Sequence, residues 1–97
     1  MAGHRTSDRV AEAFINGKRL ILGHYRSIGK EFILFGNVIA EKCEGGFYIK
    51  DCGWCTLTTS YALNALPGVR LRRLHGEWIW NEKRKWDGKD LFVEYKS

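Results

Sequence analysis

Near the start of the chain Val10, Ala13 and Phe14 recur at three- and four-residue intervals, the spacing that lines one face of an α-helix. Thr6 and Ser7 can cap it, Asp8 suits the positive end of a helix dipole, and Gly17 supplies a stop. The pattern predicts a short amphipathic helix over residues 7–16. From Lys18 the period changes to that of β-structure. Residues 19–25 and 30–35 are rich in strand formers, with Ser27-Ile28-Gly29 read as the turn between them. Gly36-Asn37 marks the next break, and strands over 38–43 and 47–51 follow, joined by Glu44-Gly45-Gly46, where glycine accepts a positive φ.

A second helix is expected over 58–66. Thr58 or Thr59 can cap it, Ala62, Leu63, Ala65 and Leu66 form an apolar side, and Pro67-Gly68 ends it. Strands over 69–74, 77–80 and 91–95 complete the chain, with turns at His75-Gly76, Asn81-Glu82 and Asp87-Gly88. The expected architecture is α+β: an antiparallel sheet of five to seven strands with two short helices, in a single domain spanning residues 1–97. No repeat, linker or low-complexity tract breaks the chain.

Composition supports a folded core. The chain has 97 residues, of which 44% are hydrophobic and 13% aromatic, so it falls outside the disordered class. A chain of this length buries roughly two-thirds of its unfolded surface. No run approaches the ~20 apolar residues of a membrane span. Met1-Ala2-Gly3-His4-Arg5-Thr6 lacks the apolar stretch of a secretory signal, and three cysteines cannot all pair within one chain. A soluble protein of the cytoplasm is expected, without contact to membranes.

Cys52-Gly53-Trp54-Cys55 is the sharpest local motif. A redox dithiol would need a helix N-terminus at the attacking thiol, yet the expected helix begins several residues later, and no βαβ context surrounds it. A metal site would have to add Cys43 and His75 to Cys52 and Cys55, and the spacing matches no standard zinc finger. The preferred reading makes the cysteines small apolar residues near a strand end. His24 is read as a packed or surface residue within a strand. Gly45-Gly46 precedes a strand, whereas phosphate loops open helices. The residues indicate no catalysis and no cofactor.

Charge adds a direction. Net charge is +5, which favours acidic partners. Residues 70–86 hold six basic and two acidic side chains. Alternation puts Arg70 and Arg72 on one strand face while Val69 and Leu71 turn inward. Arg73, Lys83, Arg84, Lys85 and Trp86 complete a candidate contact face. Arginine and tryptophan are enriched at interaction hot spots. Alternatively the same cations hold phosphates of a nucleic acid while Trp86 stacks on bases. The bland reading is a solvated strand face over buried aromatics.

From Leu34 onward the chain resembles a widespread group of small bacteriophage proteins. The matching pieces are Phe35-Gly36-Asn37-Val38-Ile39-Ala40, Gly53-Trp54-Cys55-Thr56-Leu57-Thr58-Thr59 and Leu63-Asn64-Ala65-Leu66-Pro67-Gly68-Val69. Trp78, Trp80, Asn81 and Trp86-Asp87-Gly88 complete the pattern, over about two-thirds of the chain. Two departures stand out. Tyr61-Ala62 replaces a basic residue that often precedes Leu-Asn, and Cys55 stands where proline or another residue is common. Many of the shared residues have structural uses: caps and stops for the helix, a backbone bond for Asn64, and a sharp turn at Gly53 that folds Trp54 over the core. The resemblance implies a phage-encoded protein in the host cell cytoplasm. That origin, taken with the lack of a catalytic motif and with the basic face, leads to the expectation of a non-enzymatic protein that binds and modulates a host or anti-phage-defence complex, CRISPR complexes among them, through an acidic surface of the partner. Direct nucleic-acid binding is the alternative.

Overall fold

The computed structural model describes residues 5–81 and 84–95 of the chain. Helix α1 (Arg5–Ile15) buries Ser7, Val10, Ala11 and Phe14, one face of an α-helical wheel. Its end is closed twice. Lys18 N–H donates to Ala13 O at 2.8 Å and Gly17 N–H to Phe14 O at 3.2 Å, with Gly17 at φ 71, a Schellman closure. The Lys42 ammonium then donates to Ile15 O at 2.7 Å, placing a cation at the negative end of the helix dipole.

Five strands follow as a meander: β1 (Leu20–Leu22), β2 (Tyr25–Ile28), β3 (Glu31–Leu34), β4 (Asn37–Cys43) and β5 (Gly46–Ile49). The last strand, β9 (Leu91–Glu94), pairs with β5, giving a six-stranded antiparallel sheet in the order β1-β2-β3-β4-β5-β9. Gly46 is required where β9 crosses closely, because a Cβ there would collide with Val93 O. Between β5 and β9 the chain forms helix α2 (Leu57–Asn64) and a separate antiparallel ribbon of β6 (Leu71–Leu74), β7 (Glu77–Trp80) and β8 (Arg84–Trp86).

Both sheets share one hydrophobic core. Phe14 lies 5.7 Å from Phe32 and 6.0 Å from Phe47, ring centre to ring centre. Ala62, Leu63 and Leu66 continue the same cluster to Leu71, Trp78 and Trp86. Asn64 joins α2 to the ribbon as a surrogate strand: its Oδ1 accepts from Leu71 N–H at 2.7 Å and its Nδ2 donates to Leu71 O at 2.9 Å. No helix among the described residues is long and apolar enough to cross a membrane.

The α+β class with antiparallel pairing is as the sequence implies, and several elements shift. Residues 19–25 are not one strand: Gly23-His24 folds back to make the β1–β2 hairpin, with Gly23 at φ 61, and Ser27 and Ile28 belong to β2. His24 therefore sits in a turn instead of a strand. The cap of α2 is Thr56, whose hydroxyl accepts from Thr59 N–H at 3.2 Å, so Thr58 and Thr59 lie inside the helix. Strand β8 was not expected at all, because a run of basic residues carries no β-signal of its own; its pairing with β7 creates it.

Candidate functional site

Two surfaces stand out, and the first of them carries the basic residues that the sequence singles out. The first is the ribbon. Residues directly opposite in an antiparallel pair share a face, and Arg72 opposes Ile79, which opposes Lys85. Arg70 and Arg72 are exposed while Val69 and Leu71 are buried, as alternation requires. Arg73 and Arg84 are also exposed, but their register aligns them with Trp78 and Trp80, the face turned to the core. The cations thus divide between two faces. Lys85 meets Glu77 at 3.3 Å in an exposed ion pair, and among the described residues the arginines have no such partner. Lys83 lies outside the described residues.

Trp86 departs from its expected role. It is 9% exposed, its indole N–H donates to Lys89 O at 2.8 Å, and its ring packs 5.9 Å from that of Trp78. A ring held this way offers no platform to a nucleobase. Trp78 is more deeply buried still, and Trp80 is half-buried.

The cysteines sit at two places in the fold, Cys43 at the end of β4 and Cys52 and Cys55 in the segment between β5 and α2. Cys43 is exposed at the end of β4, and His75 occupies the turn between β6 and β7. Cys52 and Cys55 are free thiols; Cys52 Sγ donates to Val38 O at 3.1 Å. Among the described residues no three His, Cys, Asp or Glu side chains converge as metal ligands. Burial pushes the Cys52 thiol above its ordinary pKa, with Lys50 pulling it partly back and the carboxylates of Asp51 and Asp90 raising it further. That is opposite to the activation a redox dithiol needs.

The second surface is a cleft of about 430 Å³ between the β3–β4 hairpin and the segment leading into α2. Leu34 and Ile39 form its floor, Phe35 and Trp54 its rims, and Asn37, Asp51 and the threonines 56, 58 and 59 its polar edge. A β-bulge shapes the floor. Phe32 opposes Ala40 but Ile33 opposes Val38, so Ile39 is an extra residue, and Ile39 and Ala40 both point inward.

Asp51 organises the opposite wall. Its Oδ1 accepts from Gly53 N–H and its Oδ2 from the Trp78 indole N–H, both at 2.8 Å, while its backbone N–H donates to Gly88 O. The buried carboxylate therefore ties the cleft to the ribbon, and the backbone of the same residue ties it to the turn before β9. The fit leaves no room for a side chain at Gly88: an added Cβ would overlap the Asp51 carboxylate, at a backbone φ of 83. Cys52 and Gly53 take φ 55 and 85, which carries Trp54 outward. Trp54 is 58% exposed, contrary to the expectation that it folds over the core.

Phe35 is the least economical residue of the cleft. With Gly36 it makes the two-residue β3–β4 turn, at φ 52 and 80, the signature of a type I′ hairpin. The left-handed conformation costs a residue with a Cβ about 1–2 kcal/mol, and Asn or Gly is the usual choice there. Yet Phe35 is 56% exposed, and its ring stacks on His24 with centres 4.4 Å apart.

No protein-family model matches the chain, and no curated protein or solved structure matches it either. The sequence reading placed the contact face on the ribbon and missed Phe35, Trp54 and the cleft. Its signal was present in part: an aromatic residue just before Gly36, where hairpins prefer Asn or Asp, is a local misfit that folding alone does not require.

Proposed function

We propose that the protein is a non-enzymatic binding protein, phage-encoded as the resemblance implies, that modulates a host or anti-phage-defence complex by docking on an acidic surface. The observation that supports this reading is the outer face of the ribbon, where exposed Arg70 and Arg72 accompany Ile79 and Lys85, with the guanidinium groups unpaired among the described residues. Arginine beside apolar surface is the composition of interaction hot spots, and positive net charge speeds encounter with an acidic partner. The burial of Trp86 and Trp78 weighs against single-strand nucleic-acid binding through the ribbon, since such binding uses exposed rings as stacking platforms.

The test is capture from nuclease-treated host lysate by the wild-type protein and by the Arg70→Glu/Arg72→Glu variant. A defined complex retained by the first and lost by the second supports the reading; equal capture by both overturns it. A salt titration against DNA and RNA decides the alternative. Submicromolar binding that falls steeply with salt would make the protein a nucleic-acid binder.

A further inference from the structure

We propose that the cleft between Phe35 and Trp54 is an anchor pocket for one tryptophan or tyrosine side chain presented by the partner protein. The proposal rests on the partner-binding reading above and adds a second, chemically different contact to it. Three features lead to it. Two aromatic rings that line the cleft stand more than half exposed, while the aliphatic Leu34 and Ile39 that line it with them are buried. Both are aimed by left-handed backbone, Phe35 itself and Cys52-Gly53 before Trp54. The wall behind Trp54 is locked before any ligand arrives, since Asp51 holds Gly53 N–H through its side chain and Trp54 N–H through its carbonyl. Such a pocket loses little freedom when it binds.

The lining selects the guest. Among the described residues it contains no lysine or arginine, so a phosphate or carboxylate would find no counter-charge there. Its one carboxylate, Asp51, already has both oxygens engaged, so it does not call for a cation either. Aromatic pairs prefer tilted or offset contact with a third ring, which the two rims can provide. A volume of about 430 Å³ accommodates an indole or phenol. The threonines at the start of α2 and the Asn37 amide offer acceptors for the N–H or O–H of such a ring. An amphipathic ring with an apolar body and one donor is the chemistry that matches. The exposed rims favour an anchor on a protein surface, because that surface would close the open side of the cleft.

The experiment titrates ¹⁵N-labelled full chain with N-acetyl-tryptophanamide and N-acetyl-tyrosinamide, with N-acetyl-lysinamide and AMP as controls. The expected result is saturable shifts confined to the amides of residues 34–39 and 51–59 and the Trp54 indole, about tenfold stronger for the aromatic amides than for either control. Phe35→Asn, which suits the turn and removes the ring, should weaken that binding about tenfold while keeping a dispersed spectrum. Trp54→Ala should do the same, and Arg72→Glu should leave it unchanged. Shifts elsewhere, equal binding of lysinamide or AMP, or wild-type affinity in Phe35→Asn would overturn the proposal. The probes contain no partner and need no arginine, so their failure would leave the arginine-face reading standing. Loss of capture in the arginine variant with intact probe binding would leave both contacts standing.

Discussion

The arginine face and the aromatic cleft are both exposed, but for opposite physical reasons. Arg70 and Arg72 point to water because strand alternation and the hydration of guanidinium groups put them there at no conformational cost. Phe35 and Trp54 stand in water despite their chemistry, one of them on a backbone conformation that asparagine or glycine would adopt more easily. Exposed charge is the default state of a surface, so it indicates little about function by itself. Exposed rings on costly turns require another explanation, and that contrast makes the cleft the more informative of the two surfaces. The surfaces also differ in coupling. Asp51 binds the cleft wall into the core through Trp78, whereas among the described residues the arginines form no ion pair that ties them down.

That contrast is open to direct attack. The largest effect is expected at Asp51. Asp51→Ala strands the Trp78 indole N–H and the Gly53 N–H, and should cost about 3 kcal/mol in urea unfolding. Gly88→Ala should cost a similar amount, since it overlaps the same carboxylate at a positive φ. If either variant unfolds with wild-type stability, the cleft wall is not locked. Phe35→Asn should move the other way, stabilising the protein by up to about 1 kcal/mol as the left-handed strain is relieved. A clear loss of stability would show that the ring supports the fold, and would dissolve the contrast. Arg72→Ala and Lys85→Ala should each stay within about 0.5 kcal/mol of wild type, the second because an exposed ion pair contributes little.

The smallest effect is a rate. Because burial raises the Cys52 thiol, its thiolate is scarcer at any pH below its pKa, and alkylation at pH 8 should modify exposed Cys43 well before Cys52. Mass-spectrometric mapping of partially alkylated protein reads the order. Faster modification of Cys52 would revive a redox role for the Cys52-Gly53-Trp54-Cys55 motif.

Much of the secondary structure was legible because it is written in local signals. Helix α1 follows from the spacing of Val10 and Phe14 and the stop at Gly17, and β7 lies where Glu77–Trp80 alternates. Boundaries failed where neighbouring residues offered equivalent chemistry. Thr58 and Thr59 read as the caps of α2, and the selection of the neighbouring Thr56 instead depends on an extended backbone there, with ψ 165, that the sequence does not display. The β1–β2 hairpin was hidden because Gly23 reads equally well as a strand interruption. The arginines were found because exposure of charge needs no tertiary information.

Sequence alone therefore determined the α+β composition, the turn at His75-Gly76, the stop of α1 at Gly17 and the outward side of Arg70 and Arg72. Each depends on residues within a few positions of one another. Tertiary structure decided the rest: that β9 returns to β5 and closes a six-stranded sheet, and that β8 exists. It decided that Trp86 is buried and Trp54 is not. It also brought the tip of the β3–β4 hairpin against the segment before α2, making a cleft from residues some twenty positions apart. A pocket of that kind has no local signature, because its walls are set by Asp51 reaching Trp78, a bond across 27 positions of chain.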